Sequence, residues 1–127
     1  MTDSTNKSGA ERLVLVIEDD EDTRDTLRYA LELNGFGTAG ASDGRQAIQW
    51  LSRNDPPCLV LLDLMMPVMS GMEFLRTLRG DARLQDTPVV VVTAWPEEAR
   101  RFDGAQAILA KPFELRDLLT EVRRLCC

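Results

Sequence analysis

Three runs of this chain are too continuously apolar to leave one face wet. Residues 12–17 read RLVLVI, residues 58–63 CLVLLD and residues 88–93 PVVVVT. A strand apolar at successive positions must be covered on both faces, the condition of a parallel sheet between helical layers. The intervening segments supply those layers. EDDEDTRDTLRYALELNG (18–35) has helical period, with Leu27, Ala30, Leu31 and Asn34 in one stripe and Gly35 as a stop. FGTAGA (36–41) is a weaker strand. Ser42, Asp43 and Gly44 open a helix to about Arg53, with Ala47, Trp50 and Leu51 inward, and Pro56 and Pro57 close the link that follows. Ser70 and Glu73 have capping-box spacing, which predicts a helix to about Leu78.

Trp95-Pro96-Glu97-Glu98 starts a short helix, AQAILA (105–110) is a last strand, and Phe113 to Arg124 a last helix with Leu115, Leu118, Leu119 and Val122 inward. Strands alternating with helices through short links predict an α/β domain with a doubly wound parallel sheet. At 127 residues the chain is expected to be one domain, residues 11–127, preceded by a polar, aperiodic tail, residues 1–10.

Composition excludes several functions. The formal net charge is −6 and no basic cluster is present, so direct nucleic-acid binding is not expected. Neither an apolar run of membrane-spanning length nor a signal peptide is seen, and the chain reads as cytoplasmic. Cys58, Cys126 and Cys127 make no disulfide framework in what reads as a reducing compartment; the last two can be lipidated or redox-active, but read first as frayed terminal thiols. With no histidine, imidazole catalysis and histidine metal sites are excluded.

Sites in open α/β sheets form beyond the carboxyl ends of the strands. Four segments deliver polar groups there: Glu18-Asp19-Asp20 after the first run, Asp63 ending the second, Thr93 ending the third, and Lys111 after the last strand. Several carboxylates in one cleft repel each other unless a cation sits among them. Mg²⁺ prefers oxygen ligands and needs one or two carboxylates. Asp19 and Asp63 are candidate direct ligands, and Glu18 can hold a metal-bound water. The spacing does not make an EF-hand loop. A carboxylate can also accept a phosphoryl group as a nucleophile. Asp63 is the best acceptor, with Lys111 and Thr93 available to phosphoryl oxygens. Each residue also has a plainer reading. Asp19, Asp20 and Asp22 can cap the first helix, Asp63 can start a turn, Thr93 can end a strand, and Lys111 can be solvated.

The stretches LVLVIEDDED (13–22), VLLDLMMPVMSG (60–71), VVVVTA (89–94) and AILAKPF (107–113) together resemble the CheY-like receiver domain of two-component response regulators, over residues 11–125. The resemblance implies a flavodoxin-like sheet of five strands in the order 2-1-3-4-5, flanked by five helices. It implies a Mg²⁺ site formed by Glu18, Asp19, Asp63 and the backbone carbonyl of Met65. Asp63 is then the phosphoacceptor, Thr93 the switch hydroxyl and Lys111 the phosphate-pairing lysine, with a cis peptide at Lys111-Pro112. The implied phosphodonor is a histidine kinase or histidine phosphotransfer protein. Output is expected through a downstream protein, a separate effector domain or a homodimer, without membrane insertion. Such a domain is not a conventional enzyme, although it catalyses its own phosphorylation and dephosphorylation.

One switch position departs from the family, which commonly has Tyr or Phe three residues before the lysine; this chain has Ile108. Met65 and Trp95, each two residues past a site residue, are expected to overhang the site and slow the attacking water, although Trp95 can equally serve only to cover a groove. Two other readings fit parts of the pattern. One is a degenerate receiver that binds partners without phosphorylation. The other is an aspartate-nucleophile phosphohydrolase, whose early D-x-D motif is not matched by Asp-Leu-Met at 63–65.

Overall fold

The computed structural model describes residues 12–63, 70–100 and 104–126. Its strands are β1 (Leu13–Ile17), β2 (Gly37–Ala41), β3 (Leu59–Asp63), β4 (Val89–Thr93) and β5 (Ala107–Ala110). The helices are α1 (Glu21–Leu33), α2 (Gly44–Arg53), α3 (Gly71–Arg79), the short α4 (Pro96–Ala99) and α5 (Leu115–Cys126). The sheet has the expected order, β2-β1-β3-β4-β5, and every pairing is parallel. Register sets the ends of the central strands side by side: Ile17 is opposite Leu62, Asp63 opposite Val92, and Thr93 opposite Ala110.

The apolar runs occupy the middle of the sheet because only there are both faces covered. Successive side chains of a strand point to opposite faces, and the core divides accordingly. Leu15, Ile17, Val60, Leu62, Val89 and Val91 pack with Ala47 and Leu51 of α2, Phe74, Leu75 and Leu78 of α3, and Ala99 of α4. Val14, Val16, Leu59, Leu61 and Val90 pack with Leu31 of α1 and Leu118, Leu119 and Val122 of α5. The outer strands β2 and β5 are only partly buried, which explains their weaker apolar pattern.

Helix starts follow local chemistry. Asp20, Asp43 and Ser70 are N-caps whose side chains accept from the backbone N–H groups of Thr23, Gln46 and Glu73. Ser70 and Glu73 close the predicted capping box in both directions. Gly35, at φ +92°, makes the reversal after α1 that a side chain would resist. Arg79, at the end of α3, ties together the approaches to β4 and β5. Its guanidinium donates to the carbonyls of Gln85 (2.9 Å), Thr87 (2.7 Å) and Gly104.

Three expectations need correction. Residues 18–20 are not helical, because Asp20 caps α1 and leaves the acidic residues before it in the turn. Leu115 is 45% exposed rather than inward. It is the first residue of α5, beside the sheet's carboxyl edge, and the inward stripe begins at Leu118. Nor is Cys126 frayed: α5 extends to it, and its side chain is buried and disulfide-bonded to Cys58. Cys126 continues the stripe of Leu118, Leu119 and Val122 at helical spacing, so the helix carries it inward. The expectations for residues 1–10, Met65 and Cys127 fall outside the described residues. No helix among those described is long and apolar enough to cross a membrane.

Candidate functional site

Parallel register delivers four chain segments to one edge of the sheet. Glu18 follows β1, Asp63 ends β3, Thr93 ends β4 and Lys111 follows β5. Carboxylate oxygens of Glu18, Asp19 and Asp63 lie within 4.8 Å of one another. Glu18 and Asp63 are buried, whereas Asp19 is exposed. Lys111 Nζ reaches Glu18 Oε1 at 3.3 Å and Asp63 Oδ2 at 3.8 Å, so one half-buried ammonium faces two buried carboxylates.

The run Glu18-Asp19-Asp20 separates into two roles. Asp20 turns away to cap α1, accepting from the Thr23 N–H (2.9 Å) and the Thr23 hydroxyl (2.6 Å). These bonds stabilise its charged form and lower its pKa. Glu18 is fixed instead in the cleft. Its backbone N–H donates to the Ala41 carbonyl at 3.0 Å, and its side chain accepts from the Asp20 N–H at 3.2 Å. Burial raises its pKa from 4.5 to about 7, reinforced by the Asp63 charge and opposed by the Asp20 N–H and Lys111. A divalent cation would reverse that balance by favouring the ionised form.

Thr93 is buried, and its hydroxyl oxygen accepts from the Trp95 N–H at 3.0 Å. The backbone N–H of Lys111 donates to the Thr93 carbonyl at 2.7 Å, tying the lysine to the strand that carries the hydroxyl. The peptide joining Lys111 to Pro112 is cis, as the resemblance implied. Trp95 stands just before α4 with 52% of its surface exposed. Ile108, half-buried on β5, packs against the core shared by α2, α3 and α4. The structure therefore brings Glu18, Asp19, Asp63 and Lys111 together and sets Thr93 at the end of the strand next to Asp63. Met65 lies among residues 64–69, outside the described residues.

Sequence reasoning missed Arg24, whose guanidinium donates to the Glu18 carbonyl at 2.9 Å and braces the acidic turn from α1. Its signal was faint, a lone arginine in the acidic opening of a helix.

The donor set suits a hard divalent cation: three carboxylates, two of them buried, supply oxygen alone. The same groups suit phosphoryl chemistry, since a carboxylate at a strand end has an ammonium beside it and a hydroxyl on the adjoining strand.

Comparison with known proteins gives a consistent result. The family described as "Response regulator receiver domain" matches residues 14–123. The response regulator MprA of Mycolicibacterium vanbaalenii is 39% identical over 116 residues, which cover 88% of this chain and 49% of that protein. The chain thus spans about half the length of the curated relatives it matches. Among solved structures, the signal receiver domain of a histidine kinase from Syntrophus aciditrophicus superposes with a TM-score of 0.82 at 30% identity, covering 90% of this chain and 89% of that one. The response regulator TrrA of Thermotoga maritima, solved in complex with Mg²⁺–BeF, superposes with a TM-score of 0.80 at 26% identity, covering 90% and 98%.

Proposed function

Since this chain belongs to the response regulator receiver domain family, we propose that it accepts a phosphoryl group on Asp63 in a Mg²⁺-dependent reaction and relays a signal through it. The observation that carries the reading is the convergence of Glu18, Asp19 and Asp63 at the carboxyl edge of the sheet, with Lys111 paired to Glu18 and Asp63. Glu18, Asp19 and Asp63 would hold the metal, together with the backbone carbonyl of Met65. When bound, Mg²⁺ neutralises charge on the phosphoryl oxygens and on the carboxylates themselves.

Asp63 supplies the nucleophile. One of its oxygens forms the new bond to phosphorus as the bond from phosphorus to the donor breaks, and the leaving group departs in line. No general base is required, because an ionised carboxylate has no proton to lose. Lys111 pairs with one phosphoryl oxygen as a point charge; its Nζ already lies 3.8 Å from Asp63. Thr93 donates its hydroxyl hydrogen to another. Water later hydrolyses the acyl phosphate and restores Asp63, so the domain assists its own phosphorylation and dephosphorylation without being a conventional enzyme. The phosphodonor is a histidine kinase or histidine phosphotransfer protein in the cytoplasm. Output passes to a downstream protein, a linked effector domain or a second copy of the chain.

Incubating the protein with acetyl phosphate tests this reading. The expected result is stoichiometric, Mg²⁺-dependent labelling that is lost in Asp63→Ala. Rapid multiple turnover would instead indicate a phosphohydrolase, and absence of labelling with Mg²⁺ present would indicate a binding module that does not use phosphorylation.

A further inference from the structure

The acidic cleft leaves unused the thiol chemistry at the opposite end of the strand that carries Asp63. Cys58 immediately precedes β3, and its backbone N–H donates to the Leu13 carbonyl at 2.8 Å, so its position is set by the sheet. Cys126 lies in the last turn of α5, on the buried face shared with Leu118, Leu119 and Val122. The two residues are 68 apart in sequence and are joined as a disulfide with Cα atoms 5.3 Å apart, a separation typical of such bonds.

We propose that Cys58 and Cys126 are a reversible redox pair, oxidised by a low-molecular-weight disulfide, that fixes the end of α5 to the sheet. The cytoplasm proposed above for this chain is reducing, and there a disulfide is usually transient or regulatory rather than a permanent part of the scaffold. Access decides the order of events. Cys58 is half-buried and Cys126 is buried, so the Cys58 thiolate attacks first. It displaces one small thiolate and forms a mixed disulfide. The Cys126 thiolate then attacks the Cys58 sulfur and expels the second small thiolate. Two protein thiols and one small disulfide become one protein disulfide and two small thiols, with two electrons passing to the small disulfide.

The consequence falls on α5. Its last turn is also held to the end of α1, where Arg123 donates to the Asn34 side chain at 3.1 Å. Oxidation adds a covalent tie to β3 beside that polar contact. Five strand steps, roughly 16 Å, separate Cys58 from Asp63. The pair therefore acts on the helix layer and leaves the carboxylate cluster intact.

The test equilibrates the full chain in glutathione buffers of graded ratio, traps free thiols by alkylation, and measures intact mass, disulfide-linked peptides and thermal unfolding. The expected result is one two-electron transition, loss of two hydrogen atoms, and a linked peptide pair containing Cys58 and Cys126. Closing so long a loop is expected to raise Tm on the order of 10 °C. Hydrogen exchange in residues 122–126 is expected to slow on oxidation. Cys58→Ser and Cys126→Ala should each abolish the oxidant-dependent Tm shift, and either one suffices if the other folds poorly. The proposal is overturned if the thiols stay fully alkylatable in the most oxidising buffer. A link through Cys127 or between two chains, or an unchanged Tm in the linked protein, overturns it equally.

Discussion

Glu18 makes the stability of the metal-free protein depend on pH in an unusual direction. Its carboxyl is buried, and its pKa rises from 4.5 to about 7 on folding. Between those values the native state holds a proton that the unfolded chain has released. Stability therefore falls as pH rises through this window, opposite to the usual behaviour of a salt-bridged carboxylate. The full effect is on the order of 3 kcal/mol, reached by about pH 8, with a slope of at most about 1.4 kcal/mol per pH unit. Replacing Glu18 by Gln keeps the shape and removes the ionisation. Urea unfolding in chelator at pH 5, 6, 7 and 8 should show the wild type losing on the order of 3 kcal/mol more than E18Q across the series. Saturating Mg²⁺ should shrink or invert the difference, because a cation bound to the native state favours the ionised carboxylate and adds its own binding free energy. Parallel curves for the two proteins in chelator would refute the reasoning, since Glu18 would then ionise alike in both states.

Other expectations follow from particular side chains. Lys111→Ala should slow labelling by acetyl phosphate at least tenfold while leaving the protein folded, as rates of phosphoryl incorporation and circular dichroism can establish together. Phe74, fully buried between α3 and the sheet, should cost about 3–5 kcal/mol when truncated to Ala in urea unfolding. Ser70→Ala should cost about 1 kcal/mol in the same assay by opening the capping box of α3. Trp95, in a Trp50→Phe background, should change fluorescence on Mg²⁺ addition; a flat titration with binding detected calorimetrically would place its ring away from the metal. Trp95→Glu should also alter the rate of autodephosphorylation, read as the decay of labelled protein.

Much of this arrangement was legible because the three apolar runs lack a wet face. That property places β1, β3 and β4 at the centre and sends whatever polar residue follows each run to a common edge. Asp63, Thr93 and Lys111 could be read as a group for that reason. The division between Asp19 and Asp20 could not, because adjacent acids in a turn look alike until backbone direction sends one to cap α1. Leu115 kept the right helical spacing but stands at the tip of its helix, where periodicity says nothing about whether a neighbour lies beneath. Cys58 and Cys126 meet only through packing, since α5 must dock on the sheet before residues 68 apart become neighbours. The bracing role of Arg24 depends on its reaching a main-chain carbonyl, a contact that no residue pattern encodes.

The alternation along β3 has a further consequence. Leu61 and Leu62 are joined by one peptide bond, yet each answers to a different set of helices. Truncating both should cost nearly the sum of the separate losses, whereas Leu61 and Val122, far apart along the chain, share a core and should not combine so simply. A displacement of Asp63 pulls on a backbone whose odd and even residues anchor in separate halves of the molecule. Both halves would feel the same tug, so a single event at the tip of one strand can be broadcast to two opposite surfaces at once.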